Sequence, residues 1–110
     1  MGNNNNLTLK NPADITHIKS IGNYIQVFYI NGECAYSKLK IKNAIKQLNR
    51  KAFIKTHRSH IVNMNFVERY YMEGRSLKLK TVDGEEIPIS KGAKDEFKKR
   101  VLLFPLIRRG

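Results

Sequence analysis

The residues best suited to chemistry cluster in His57-Arg58-Ser59-His60, with Lys55 just upstream and Asn63 just downstream. Three kinds of chemistry are weighed against that run. A metal site needs three or four converging ligands. His57 and His60 are three apart, a spacing that puts them on opposite faces of a single strand, and His17 and Cys34 lie elsewhere in the chain. Nucleophilic catalysis could draw on Ser59 and His60, but acids are scarce near them and the strand-turn-helix motif that exposes a catalytic serine is missing. Asp83, Glu85 and Glu86 are a carboxylate cluster of the sort a metal-dependent nuclease uses, yet they surround Asp83-Gly84, a hairpin-turn signal. No glycine-rich phosphate loop is present. The expectation is a non-enzyme without cofactor or metal.

Charge supplies the stronger lead. Lys and Arg number 21 against 9 Asp and Glu, a formal net charge of +12. Such a field repels itself and favours a polyanionic partner. From Lys38 to Arg58 there are eight basic residues (Lys38, Lys40, Lys42, Lys46, Arg50, Lys51, Lys55 and Arg58) and no acid between them. A solvated helix face usually interleaves the two signs to gain pair energy. Charge alone leaves duplex nucleic acid, single strands and an anionic membrane all open. Tyr24, Phe28, Tyr29, Tyr36, Tyr70 and Tyr71 could stack on single-stranded bases. They can equally fill a core, and a chain with no Trp needs them there.

The elements that must carry these residues read as strands. A chain of 110 residues, 41% hydrophobic, supports one domain with a core of its own. Ile15, Ile18 and Ile21 mark a first strand over 14–21, ended by Gly22-Asn23. Residues 24–30 are dense in Tyr, Ile, Val and Phe and read as a strand covered on both faces. Asn31-Gly32 is a hairpin signal, since both residues tolerate positive φ, and 33–36 form the return strand. Over 37–49 the period changes: Ile41, Ala44, Ile45 and Leu48 share a helical face, with Ser37 as the expected N-cap. Ile61-Val62 read as a strand and 55–60 as polar loop or strand end. A hairpin over 67–82 turns at Glu73-Gly74-Arg75, and a last strand over 86–89 carries Pro88, which restricts it to a sheet edge. Ser90 is the expected cap of a closing helix with its stripe at Ala93, Phe97, Val101 and Phe104, ended by Pro105. The fold class expected is mainly β, small antiparallel sheets of hairpins with two short helices. Residues 1–9 read as a linker or added tail, 10–104 as the domain and 105–110 as a C-terminal tail. No apolar run approaches the ~20 residues that span a bilayer, and a cytoplasmic location is expected.

The run His57-Arg58-Ser59-His60-Ile61-Val62-Asn63 resembles the signature of the LytTR-type DNA-binding domains of bacterial response regulators. The likeness extends from Asp14-Ile15-Thr16-His17-Ile18-Lys19-Ser20 through Asn23-Tyr24-Ile25 and the basic helix to Ile89-Ser90-Lys91 and the closing helix. It implies a cytoplasmic bacterial transcription regulator without a recognition helix, whose loops enter successive major grooves of a direct-repeat site in double-stranded DNA. The contacts it implies come from Asn23, Tyr24 and Ile25, from Arg58 beside His57, from Lys91, and from Arg75 at a further basic turn. By their chemistry, Arg58 suits a bidentate pair with guanine, and Asn23 suits adenine. Lys91 can reach a guanine edge or a phosphate. Lys55, Ser59 and Arg75 suit phosphates, which position a protein without specifying sequence. Ile25 could touch a thymine methyl or belong to the core, and His57 could be a contact or a structural hydrogen-bonder. The resemblance also implies an upstream receiver domain, for which 110 residues leave no room, and a homodimer formed on DNA or through that receiver. The competing reading is an OB-like module for RNA or single strands.

Overall fold

The computed structural model describes residues 8–110, and the Asn-rich start of the chain lies outside them. The first sheet contains β1 (Ile15–Ile21), β2 (Tyr24–Tyr29), β3 (Cys34–Ser37), β4 (Phe53–His57) and β5 (His60–Asn63), in the order β3-β2-β1-β5-β4. The second contains β6 (Val67–Glu73), β7 (Ser76–Thr81), β8 (Glu86–Ile89) and β9 (Arg108–Arg109), in the order β8-β7-β6-β9. All pairings are antiparallel except that of β6 with β9. Both sheets are open, whereas an OB-like module would be a partly closed barrel. Two short helices complete the fold: α1 (Ile41–Ala44), extended by a 3-10 turn over Ile45–Gln47, and α2 (Lys94–Val101). The mainly β architecture with two short helices is as the sequence implies.

Side-chain alternation along β4 and β5 gives the molecule two cores. Phe53 and Ile61 face Ile15, Ile18, Ile25 and Val27, and this face is closed by Ala44, Ile45 and Leu48 of the α1 segment. Ile54 and Val62 face the other way, against Val67, Leu77, Leu79 and Ile87 of the second sheet and Phe97 of α2. Phe97 is fully buried and meets the Tyr70 ring edge-on at 5.5 Å. A side chain so enclosed contributes about 1.5–3 kcal/mol by leaving water. Ile107 packs on the same core, and Arg108–Arg109, in the stretch read as a tail, pair with Arg69 and Tyr70.

Several local expectations are corrected. β2 is covered on one face only: Ile25 and Val27 are buried, while Gln26 and Phe28 remain partly exposed beside Cys34 and Tyr36. The Asn31-Gly32 turn needs only one positive φ, that of Gly32 at 91°. Asn31 instead accepts the Glu33 amide on its side-chain oxygen at 2.9 Å. Ser37 does not cap α1. It ends β3, and its hydroxyl accepts the Leu39 amide at 3.1 Å, a local turn that delays the helix until Ile41. Ser90 stands ahead of a 3-10 turn, Lys91–Ala93, without a side-chain cap, and α2 stops at Val101 rather than at Pro105. Pro88 does sit on an edge strand, opposite Lys78.

Candidate nucleic-acid interface

Three chain reversals and one strand end meet at one end of the molecule. The β1–β2 turn is Gly22-Asn23, held between the pair Ile21 and Tyr24, with Gly22 in the left-handed region at φ 57°. Position 22 therefore favours glycine, the residue with no Cβ to clash there. The β4–β5 turn is Arg58-Ser59, between the pair His57 and His60. The two histidines thus lie on neighbouring strands of one hairpin, not on opposite faces of a single strand. Their rings meet edge-on at 5.7 Å.

Backbone hydrogen bonds lock these turns together. The Ser20 amide donates to the Ser59 carbonyl at 2.8 Å, placing the Asn23 turn beside the Arg58 turn. The Ser90 amide donates to the Thr56 carbonyl at 2.7 Å, which brings Lys91 to the same hairpin from the second sheet. The β6–β7 turn, with Arg75, lies at that end of the second sheet too, because Leu77 pairs with Ile89. Asn23, Tyr24, Arg58, Arg75 and Lys91 are all exposed.

Not every expected contact joins them. Ile25 is 1% exposed and packs in the first core, so it offers nothing to a thymine methyl. Lys55 is exposed in mid-strand and lines a groove with Arg50, Glu96 and Arg100, away from the turns. His57 builds its own turn: Nδ1 accepts the Ser59 amide at 3.3 Å. Ser59 is half-buried, with its carbonyl committed to Ser20. Asn63 is buried, donating to the Ile15 carbonyl at 2.9 Å and accepting the Asn65 amide at 3.0 Å.

Other cations lie near these turns, two of them from the basic stretch that the sequence singled out. Ser37 pairs with Ile25, so β3 ends near Tyr24; Lys38 and Lys40 follow it, both exposed, and Lys38 also lines a groove with Val27 and Tyr29. Lys19 sits between Gln26 and His60, opposite the residue that closes the Arg58 turn and two pairs from the Asn23 turn. Glu73 flanks the Arg75 turn, and other carboxylates lie at the opposite end. Glu33 and Asp83 occupy the β2–β3 and β7–β8 turns, the Thr16 hydroxyl donates to Asp83 at 3.4 Å, and the Asp14 carbonyl accepts the Ile30 amide.

Burial disfavours the charged form of two histidines behind this surface, His60 and His17. Burial, chiefly, lowers the His60 pKa, helped by the neighbouring His57 and Lys19. His17 is pushed down to about 4, mainly by burial and against the pull of Asp83. Its ring stacks on Phe28 at 4.2 Å. The Thr16 hydroxyl and His17 Nδ1 are hydrogen-bonded at 3.0 Å, with the Phe28 carbonyl 3.2 Å from the same hydroxyl. Among the described residues no group of three or more His, Cys, Asp or Glu could hold a metal ion, and no helix is long and apolar enough to cross a membrane.

No curated protein matches the chain. A solved structure from Bacillus cereus, described as the LytTr DNA-binding domain of a methyl-accepting/DNA response regulator, superposes with a TM-score of 0.73 at 22% identity, covering 81% of this chain and 82% of that one. This likeness concerns the fold. The family model of the LytTr DNA-binding domain matches residues 5–102, nearly the whole chain. With that match over two open sheets and a basic end, the chain belongs to the LytTR family of DNA-binding domains.

Proposed function

We propose that this domain recognises a specific site on double-stranded DNA by placing its turns in the major groove, as the output domain of a bacterial transcriptional regulator. The observation that supports this reading is the convergence of Asn23, Arg58 and Lys91 on one end, held by the Ser20–Ser59 and Ser90–Thr56 hydrogen bonds. Readout by side chains needs a rigid frame, because a loosely held cation finds phosphates but not a particular base edge. Arg58, at the apex of a two-residue turn, has the fork that matches guanine O6 and N7. Asn23 and Tyr24 form a second point of contact, Lys91 a third, and Arg75 approaches the flanking phosphates. Lys55, His57 and Ser59 act less directly: His57 and Ser59 hold the Arg58 turn in shape, and Lys55 adds to the long-range field.

The site is expected to be a direct repeat occupied by two copies in the bacterial cytoplasm. Selection of bound duplexes from a random pool tests this. A recovered pair of like half-sites, about one helical turn apart or a multiple of it, supports the reading. Recovery of no common sequence, with equal affinity for any duplex at fixed salt, overturns the sequence-specific part.

A further inference from the structure

A second binding feature lies on the other sheet. Between the start of β7, the end of β6, α2 and β9 is a half-open cleft of about 200 Å³. Its apolar lining comes from Tyr70, Met72 and Leu77, and two cations, Lys98 and Arg109, also line it. Tyr70 is fixed edge-on against Phe97. Leu77 is 3% exposed and belongs to the second core, so this part of the cleft is preformed.

Like most cations of this strongly basic chain, these two are not in ion pairs. Lys78 pairs with Glu73 and Glu86, Arg100 with Glu96, and Arg108 with Glu68. Lys98 and Arg109 meet no carboxylate among the described residues. Two unpaired cations beside apolar walls complement a ligand with one apolar part and one anionic part. A carboxylate suits the planar fork of Arg109 in bidentate form, with Lys98 as a point charge beside it. Volume limits the apolar part: a cavity of ~150 Å³ accommodates benzene, so this one takes a single ring and a short arm.

We propose that this cleft binds small amphipathic carboxylates, of the class of a monocyclic aryl-alkanoate. The proposal stands apart from the DNA-binding reading and would survive its failure.

The test is an amide NMR titration of the whole chain with 3-phenylpropanoate. The expected result is saturable shifts confined to residues near Tyr70, Met72, Leu77, Lys98 and Arg109, with a dissociation constant on the order of 1 mM, as suits so small a ligand. Lys98→Ala and Arg109→Ala should each weaken binding several-fold, and the neutral 3-phenylpropanamide should bind about tenfold more weakly than the acid. Both variants alter exposed side chains, and an otherwise unchanged amide spectrum verifies the fold. Three outcomes overturn the proposal. One is no saturable shift, the second is equal affinity for acid and amide, and the third is inorganic phosphate shifting the same amides at the same concentration. The last would mean a cationic surface without an apolar subsite.

Discussion

The Ser90 amide and the Thr56 carbonyl are joined by a 2.7 Å hydrogen bond that crosses from the second sheet to the first. It sets Lys91 beside the hairpin that carries Arg58, although 33 positions separate the two residues in the chain. Thr56 lies at an irregular point of β4, where the pairing with β5 shifts between Lys55 and His57. Such irregularities bend a strand and re-aim the residues beyond the bend. Here the irregularity leaves the Thr56 carbonyl free for Ser90.

Arg58→Ala should weaken binding to the selected duplex by about 1–3 kcal/mol, roughly tenfold to a hundredfold, while binding to a scrambled duplex changes far less. Fluorescence anisotropy on both duplexes at one salt concentration measures the difference. An equal loss on the two would reduce Arg58 to a phosphate contact.

Lys38→Ala and Lys40→Ala should behave differently. Each should lower affinity for selected and scrambled duplex alike, and each should reduce the slope of log affinity against log salt by about 1. Lys42→Ala, on the outer face of α1, is the control and should leave the slope nearly unchanged. If all three act equally, the lysines contribute only bulk charge, and the register of β3 is irrelevant to DNA.

Stability should fall in acid as the pH drops from the ordinary histidine value toward that of buried His17. Unfolded, His17 takes up a proton near pH 6.5; folded, it resists until about 4. The unfolded chain therefore binds more protons across that interval, and stability is full above pH 6.5 and declines as the pH drops toward 4. The shift corresponds to about 3 kcal/mol, and His60, also lowered, acts in the same direction. Urea midpoints across this range should show the decline, and His17→Phe should reduce it by more than half. An unchanged profile in that variant would place the acid sensitivity elsewhere.

Arg100 ties α2 to the loop before β4. Its Nη1 donates to the carbonyls of Arg50, Lys51 and Phe53 at 2.7, 3.3 and 3.2 Å, and Nη2 pairs with Glu96 at 2.7 Å. Arg100→Ala removes the shared donor for three carbonyls and should destabilise the domain by about 1–3 kcal/mol. Arg100→Lys should recover only part of that, since an ammonium lacks the planar fork. A chemical-denaturation series of the two variants checks the order. Glu96→Ala should cost much less, because that carboxylate is exposed.

Much of this molecule is legible in local sequence. The alternation in β7 and the helical stripe in α2 each bury their own apolar residues, so the pattern names both element and inward face. The basic stretch after Ser37 and the short run around Arg58 were likewise visible as composition and as a family likeness. Helix starts were less legible. Ser37 and Ser90 have the residue type of a cap, but the Ser37 hydroxyl closes a turn onto Leu39 and Ser90 gives its amide to a distant strand. What the tertiary structure alone decided is which charges act together. Strand order brings the end of β3 alongside Ile25, sets the Arg58 turn beside the Asn23 turn and sends Lys55 to a groove, and no local pattern encodes that order. Its source is long-range: β1 pairs with β5, and β4 meets the end of β8, through backbone groups that every residue carries alike, so side-chain types along the chain do not announce who the neighbour will be.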